Sequence, residues 1–518
     1  MIKQYYLFLI LRYILNVTTA IDKSTRYIYN LYMKKIIVLL ICIVLIIPFT
    51  ACKSTSHEKM TLSIQDDVIS WNCLDNAECY SLRIMFDNTN GYELTTKETS
   101  YRAKFVKKGD YTFTVRAKVN GKYTKYSNAV VYTLDKDINI STSDDGKVTY
   151  RGSGTKDDPI LIESATQFLS IKTGTRKQVI DDIAETVPLY CKQTKDISFN
   201  GKEISPLCTG SERFSGFYDG NGYTISDFKQ NELPKSGYIY MGLFGSLENA
   251  SVINLNIKNY SVNLSFVSKG FGWGSIAGYS KQSTIENCHV DANITINSPM
   301  NAVYYGYAGM LIGESYGSKF IRCSSSGEIK ITFSKVYVGG IVGTTNTGTK
   351  DIMENCISTA SITTHSTGRN SGVPDTSSYA GGLIGYATSF NSVTNSVSNA
   401  VLNATAIDGG TANTVGKGIF GGGKYRSADG YSSLVYNNCY LNYEKLKLSV
   451  SEDYPTVEAL IDRFAIGGKT YKQNSATTVY GFNNAEQGLK ETYKDFDFEN
   501  IWTIENGELK LRSYLATH

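Results

Sequence analysis

Residues 309–313 read Gly-Met-Leu-Ile-Gly, and variants of this stretch return along the middle of the 518-residue chain. The six copies are Gly242-Leu243-Phe244-Gly245, Gly274-Ser275-Ile276-Ala277-Gly278, Gly309-Met310-Leu311-Ile312-Gly313, Gly339-Gly340-Ile341-Val342-Gly343, Gly381-Gly382-Leu383-Ile384-Gly385 and Gly418-Ile419-Phe420-Gly421. Their closing glycines are 33, 35, 30, 42 and 36 residues apart. A repeat of this length is typical of stacked structural units, so we predict a solenoid.

A second motif follows most glycine copies and ends in cysteine or serine. Its cysteine copies end at Cys288, Cys323, Cys356 and Cys439. Because equivalent positions of a parallel β-solenoid stack about 4.8 Å apart, we predict that these four cysteines form an interior ladder. The asparagines one residue earlier, such as Asn287, then lie in a turn or on the opposite side. The glycines predict corners with positive φ or close backbone approach, and we expect Gly343 to be a positive-φ corner.

Together these motifs resemble the GLUG-type repeats of bacterial surface β-helix proteins. Two further stretches, residues 152–160 and 214–225, look like the segments that open such solenoids. The resemblance implies a right-handed parallel β-helix over residues 151–445. Ser164-x-x-Gln167 predicts a short capping helix, and residues 446–518 are expected to form a C-terminal cap. That cap would contain a second short helix from Thr456 to Phe464 and a closing strand pair around Trp502 and Leu509.

The N-terminal part carries an export signal. Met33-Lys34-Lys35 precedes an apolar stretch that is short for a membrane-spanning helix, and Phe49-Thr50-Ala51-Cys52 follows. These four residues resemble the lipobox of bacterial lipoproteins, which implies a diacylglyceryl group on Cys52 and membrane attachment through it. We therefore expect residues 33–52 to be a lipoprotein signal peptide and residues 53–59 a tether. Residues 1–32 are expected to be an upstream extension from a wrongly assigned start codon.

Residues 60–135 show short runs of alternating apolar residues separated by turn dipeptides, which predicts a small antiparallel β-sandwich. The order of Trp71, Tyr80 and Gly109-Asp110-Tyr111 resembles the fibronectin type III family. That resemblance implies a core position for Trp71 and a hydroxyl of Tyr111 that bonds back to the main chain. Residues 136–150 are expected to be a linker. The fold class predicted for the whole chain is therefore all-β, with a sandwich followed by a β-helix and short capping helices.

Charge and motif content narrow the function. Lys and Arg total 52 and Asp and Glu 48, so we expect no nucleic-acid partner. Metal-ligand spacing, a nucleophile elbow and a phosphate loop are all missing from the sequence, so we expect no metal and no cofactor. Asp157, Asp158 and Asp219 are explained by turn chemistry. We therefore expect that the chain is not an enzyme.

Clusters of aromatic residues are the remaining binding candidates. Phe271-Gly272-Trp273, Tyr304-Tyr305-Gly306-Tyr307 and Tyr238-Ile239-Tyr240 are expected on the solvent side, with Trp273, Tyr304, Tyr305 and Tyr307 as ligand-binding residues. We expect an exported, lipid-anchored, monomeric protein that binds a glycan or an extracellular protein and serves adhesion. Two alternatives stay open: a polysaccharide-degrading lyase or glycoside hydrolase, and a purely structural surface component.

Overall fold

The chain divides into two compact units between Ile138 and Asn139. The computed structural model of the protein describes residues 59–512 except 66, 88–89, 104, 136, 143–145, 181–182, 209–211, 234–238, 266, 268, 299–303, 347–349, 368–376, 388–391, 407–413, 424–434, 447–455 and 457–477. The predicted signal peptide, Cys52 and most of the tether lie outside the described residues. The second capping helix, predicted to begin at Thr456, lies outside them as well, apart from that first residue.

The first unit contains two antiparallel sheets. The strands of one are Leu62–Gln65, Val68–Trp71 and Ser100–Arg102, and those of the other are Ala77–Phe86, Asn90–Thr96, Gly109–Val119, Lys122–Tyr123 and Val130–Leu134. Alternate residues of the strand that begins at Gly109 are buried, as the period of two requires. Trp71 is buried in this core, and the Tyr111 hydroxyl donates to the carbonyl oxygen of Lys107 at 2.7 Å.

The second unit begins inside the region expected to be a linker. Ile140–Thr142 pairs with Thr149–Arg151, so part of residues 136–150 is ordered sheet. The short helix Ala165–Leu169 follows, and the Ser164 side chain accepts a hydrogen bond from the backbone N–H of Gln167, which confirms the predicted capping motif. Phe168 from this helix is fully buried among aromatic rings at the start of the solenoid. A hairpin, Thr175–Ile180 with Ile183–Pro188, projects from the first coil.

Most of the remaining second unit is a parallel β-helix with three sheets, and the coils from Phe217 onward contribute to them in the same order. The first sheet consists of Ile160–Ile162, Tyr190–Gln193, Phe217–Asp219, Ser251–Ile253, Thr284–Glu286, Lys319–Ile321, Ile352–Glu354, Ser392–Thr394 and Val435–Asn437. The second consists of Ile197–Glu203, Thr224–Lys229, Asn256–Leu264, His289–Asn297, Ser324–Phe333, Ile357–Ser358, Ser361–Ser366, Val397–Ser398, Val401–Ala406, Cys439–Asn442 and Val479–Phe482.

In the third sheet most coils contribute two half-strands that meet at the glycine motif. The half-strand pairs are Ile239–Met241 with Phe244–Glu248, Phe271–Gly274 with Ala277–Lys281, Tyr305–Gly309 with Ile312–Tyr316, and Lys335–Gly339 with Val342–Thr345, followed by the unbroken strands Ser377–Ala387 and Thr414–Gly423. The predicted all-β fold with a small sandwich and a parallel β-helix is therefore confirmed.

The closing glycines serve a different purpose from the one predicted. Gly343 does not have a positive φ, so the prediction of a positive-φ corner is wrong. A Cβ atom on Gly343 would lie 2.5 Å from the oxygen of Gly313 and 2.6 Å from the nitrogen of Ala308. The glycine is needed because two half-strands approach each other closely there. Asparagine forms the positive-φ corners instead, for example Asn287 at 52° and Asn355 at 54°.

The C-terminal segment packs on the outside of the second sheet. Trp502–Glu505 and Glu508–Leu511 form the predicted strand pair, and short 3₁₀ turns lie at Glu444–Leu446 and Lys490–Thr492. Trp502 belongs to an apolar cluster with Ile357, Val397 and Tyr440, three residues that follow inward-facing positions on successive coils. The segment therefore covers one side of the last coils, in the region for which the sequence predicted a C-terminal cap.

Candidate functional site

A row of tyrosines follows the outward face of the third sheet. Strand register aligns Tyr240, Gly272, Tyr307, Tyr337 and Tyr379 on the half-strands before the glycine motif. It aligns Ser246, Tyr279, Glu314, Thr344 and Tyr386 on those after it. The neighbouring positions, such as Met241 and Val338, belong to the interior core, so these columns face away from it. We define the tyrosine strip as Tyr240, Tyr279, Tyr305, Tyr307, Tyr316, Tyr337, Tyr379 and Tyr386.

The rings of the tyrosine strip contact one another across coils. Tyr337 stacks on Tyr386 with ring centroids 4.5 Å apart, and Tyr379 lies 5.0 Å from Tyr386. Tyr307 and Tyr305 continue this row at 5.5 and 5.7 Å from Tyr337. Tyr337, Tyr379 and Tyr386 are 8–9% exposed, whereas Tyr305 and Tyr307 are half-buried. The strip is therefore closely packed on the coils of Tyr337 and Tyr379, and its rings are more accessible on the coils before them.

One carboxylate, that of Glu314, lies within the strip and is only 6% exposed. Its Oε2 accepts a hydrogen bond from the Tyr240 hydroxyl at 3.1 Å. Its Oε1 accepts from the Tyr316 hydroxyl at 3.2 Å and from Asn346 Nδ2 at 2.5 Å. Burial raises the pKa of Glu314, and the three hydrogen bonds oppose that rise. All three donors are neutral, so the protein holds this acid by hydrogen bonding rather than by ion pairing.

Charged side chains lie beside two parts of the strip. The Arg213 guanidinium lies 4.7 Å from the ring centroid of Tyr279, and its Nε is 3.0 Å from Glu248. Lys281 approaches the same Glu248 carboxylate at 2.6 Å. Further along the strip, the ammonium of Lys335 lies 4.9 Å from the ring centroid of Tyr305. Cation–π contacts of this kind hold the aromatic rings in place.

The residues predicted to bind a ligand have different positions. Tyr305 and Tyr307 belong to the strip, and Tyr304 beside them is 39% exposed. Trp273 is fully buried, so its predicted place on the solvent side is wrong. The outward residue of that strand is Gly272, while Trp273 aligns with inward-facing Met241. The sequence reasoning missed Tyr279, Glu314, Tyr316, Tyr337, Tyr379 and Tyr386.

The four repeat cysteines lie inside the solenoid and are fully buried. Each carries a free thiol. The thiols donate to carbonyl oxygens of preceding coils, for example Cys288 to Val252 at 3.4 Å and Cys323 to Ile285 at 3.4 Å. Burial raises the pKa of Cys439 to about 12 and raises those of Cys288 and Cys356. A protonated, buried thiol is unreactive, so Cys288, Cys356 and Cys439 contribute packing rather than chemistry.

Within the described part of the chain, no group of three or more His, Cys, Asp or Glu side chains is arranged to hold a metal ion. No helix among the same residues is long and apolar enough to cross a membrane.

Known proteins are similar in sequence to parts of this chain. No family model matches it. Halomucin from Haloquadratum walsbyi is 31% identical over 156 residues, which are 29% of this chain and 2% of halomucin. A candidate Gly-rich membrane protein from Evansella cellulosilytica is 33% identical over 118 residues, 22% of this chain and 12% of that protein. The chain thus spans a small part of the length of both relatives.

Among solved structures, a candidate immunoglobulin A1 protease from Bacteroides ovatus is 19% identical, with a TM-score of 0.44 over 70% of this chain and 95% of that chain. Pectate lyase Pel3 from Pectobacterium carotovorum is 13% identical, with a TM-score of 0.17 over 62% of this chain and 88% of that chain. Pectate lyase PelI from Erwinia chrysanthemi is 8% identical, with a TM-score of 0.15 over 82% and 99%.

The pectate lyases correct one expectation from the sequence. The expectation that the chain is not an enzyme is contradicted, because the matched structures with a β-helix fold include pectate lyases, which are enzymes. At these identities and TM-scores the likeness assigns no reaction to this chain.

Proposed function

We propose that this chain is a bacterial surface protein whose β-helix binds a polysaccharide along the tyrosine strip. In this proposal Cys52 carries a lipid anchor, residues 60–135 are a fibronectin type III-like spacer, and GLUG-like repeats form the binding part. The lipobox-like residues 49–52 support the anchor. The buried Trp71 and the bond from Tyr111 to Lys107 support the nature of the spacer. The Evansella relative is named as a Gly-rich membrane protein, which agrees with this location.

The observation that carries the proposal is the continuity of tyrosine rings from Tyr305 to Tyr386 across neighbouring coils. A tyrosine ring offers an apolar face to a sugar and a hydroxyl to its polar edge, at a low cost in side-chain entropy. Parallel strands fix the spacing of the rings, so a chain-like ligand meets an ordered series of contacts. Extended surfaces of this kind are what solenoid proteins use for long ligands.

The test is a glycan array followed by titration calorimetry on the protein and two variants. Tyr305→Ala with Tyr307→Ala removes two half-buried rings of the strip, while Tyr480→Ala removes a ring that is 38% exposed on the second sheet. We expect the double variant to lose about tenfold in affinity, as two stacking contacts of about 0.7 kcal/mol each predict. The Tyr480 control is expected to bind like the wild type.

Other outcomes decide against the proposal. Failure of every glycan to bind, or equal binding by the double variant, contradicts a site on the strip. The same samples are assayed for new reducing ends, which tests the alternative of polysaccharide degradation. Release of such ends by the wild type would replace binding with catalysis as the function.

A further inference from the structure

The environment of Glu314 is unusual for a buried carboxylate. Within the described residues, the influences on its pKa are burial and three hydrogen bonds from neutral groups, with no cation among them. A buried charge is normally compensated by an opposite charge, because removal from water is costly. The described residues supply hydrogen bonds to Glu314 but no counter-charge, so the site is electrostatically complementary to a cation.

The walls around Glu314 suit a cation as well. Tyr240 and Tyr279 have ring centroids 5.1 Å apart, and Tyr279 and Tyr316 are 5.2 Å apart. All three rings are half-buried, so parts of them remain accessible beside the carboxylate. Tyrosine faces attract ammonium groups through the ring quadrupole, and the attraction adds to that of a nearby carboxylate.

The other charges of the strip are placed differently. Arg213 and Lys281 both form ion pairs with Glu248, so their charges are compensated by Glu248 and not by Glu314. Lys335 lies on the ring of Tyr305. Among the described residues of the strip, Glu314 is therefore an anionic centre with aromatic rings around it, and the nearby cations contact Glu248 or the ring of Tyr305 instead.

From this arrangement we infer that the strip takes a glycan that carries cationic amino groups, such as a polymer of non-acetylated amino sugars, and that Glu314 receives the charged group. This inference rests on the proposed function, because it names the substrate class of the same strip. It makes Glu314 a specificity-determining residue. A polyuronate, whose carboxylates would meet Glu314, is the least favoured ligand.

The probes are glucosamine oligomers with trimethylated amines, the N-acetylated oligomers of the same length, and polygalacturonate. The trimethylammonium charge does not titrate, so any pH dependence reports on the protein. Residues 53–518, which follow the proposed lipid anchor, contain 46 Lys and Arg against 47 Asp and Glu, so strong non-specific attraction of a polycation is not expected. Glu314→Gln keeps the shape and hydrogen-bonding reach of the side chain and removes its charge. Glu328→Gln, whose partner is Lys330 on the second sheet, is the matched control.

We expect the wild type to bind the cationic oligomer at least about tenfold more tightly than the acetylated one, and Glu314→Gln to lose that preference. Glu328→Gln is expected to retain it. Lowering the pH should weaken the preference in the wild type as Glu314 becomes protonated, at a higher pH than for an exposed glutamate. Circular dichroism of both variants verifies that they fold.

The two ideas fail in different ways. If cationic and acetylated oligomers bind equally, or if folded Glu314→Gln keeps the preference, the inference about substrate class is overturned and glycan binding stands. If no oligomer binds in a manner that depends on Tyr305 and Tyr307, the proposed function is overturned and the inference falls with it.

Discussion

Replacing Gly343 by alanine places one methyl group between two half-strands of the third sheet. The added Cβ would lie 2.5 Å from the oxygen of Gly313, 2.6 Å from the nitrogen of Ala308 and 2.7 Å from its carbonyl carbon. Ordinary contacts of a Cβ atom begin at 3.4 Å. The backbone would have to retreat by 0.9 Å from the first atom (3.4 − 2.5) and by 0.7 Å from the third (3.4 − 2.7).

The expected cost follows from what blocks the methyl group. All three atoms belong to the main chain, so no side-chain rotation relieves the overlap. The strands that carry them are paired with further coils on both sides. Overpacking of a rigid core costs about 1–3 kcal/mol, and rigid backbone on every side places Gly343→Ala at about 3 kcal/mol.

The matched control is Gly201→Ala. Gly201 has a φ of 72° and no atom within 4 Å of its added Cβ, so it tests the backbone conformation without any overlap. Its expected cost is about 1 kcal/mol. Urea unfolding followed by far-ultraviolet circular dichroism measures both. A Gly343→Ala variant that is no less stable than Gly201→Ala would refute the close-approach explanation.

Two other changes probe the interior. Trp273→Phe removes the indole N–H that donates to the Tyr260 hydroxyl at 2.6 Å. Thermal unfolding should therefore show a loss of about 2 kcal/mol in stability, while the glycan affinity stays unchanged. Weaker glycan binding at normal stability would instead indicate that Trp273 contacts the ligand. Burial raises the pKa of Asp351 from 3.8 to about 6. The contribution of Asp351 to the free energy of unfolding is therefore fully present below pH 4 and is lost as the pH rises through 6. Urea titrations from pH 4 to 8 should show Asp351→Asn removing up to about 3 kcal/mol of that loss; parallel curves would contradict it.

The repeat architecture could be predicted because the glycine and cysteine motifs recur at the same offset. The ladder positions of Cys288 and Cys356 followed from that register alone, and both are buried. Why each position requires glycine could not be predicted, because a positive φ and a close backbone contact both favour glycine. The asparagines at 287 and 355 carry the positive φ, which leaves Gly343 to the close contact.

The site was predicted less completely, for two reasons. Phe271-Gly272-Trp273 is too short to show which face of the strand points outward, and the answer comes from its alignment with Tyr240 and Tyr307. The tyrosines at 337 and 386 are far apart in sequence and meet only because their coils are adjacent. The sequence signal for these two tyrosines was their constant offset from the glycine motif. Tyr337 lies two residues before the first glycine of its motif, and Tyr386 lies one residue after the last glycine of the next motif.

That constant offset connects the glycine motif to the site. Tyr337 precedes the close approach on one coil and Tyr386 follows it on the next, and their rings stack at 4.5 Å. The half-strands can bring these rings together because the residues between them, Gly343 and Gly385, have no side chain to hold the backbones apart. The glycines therefore build the aromatic surface as well as the coil, so repeats that lose the closing glycine should also lose the neighbouring ring contact.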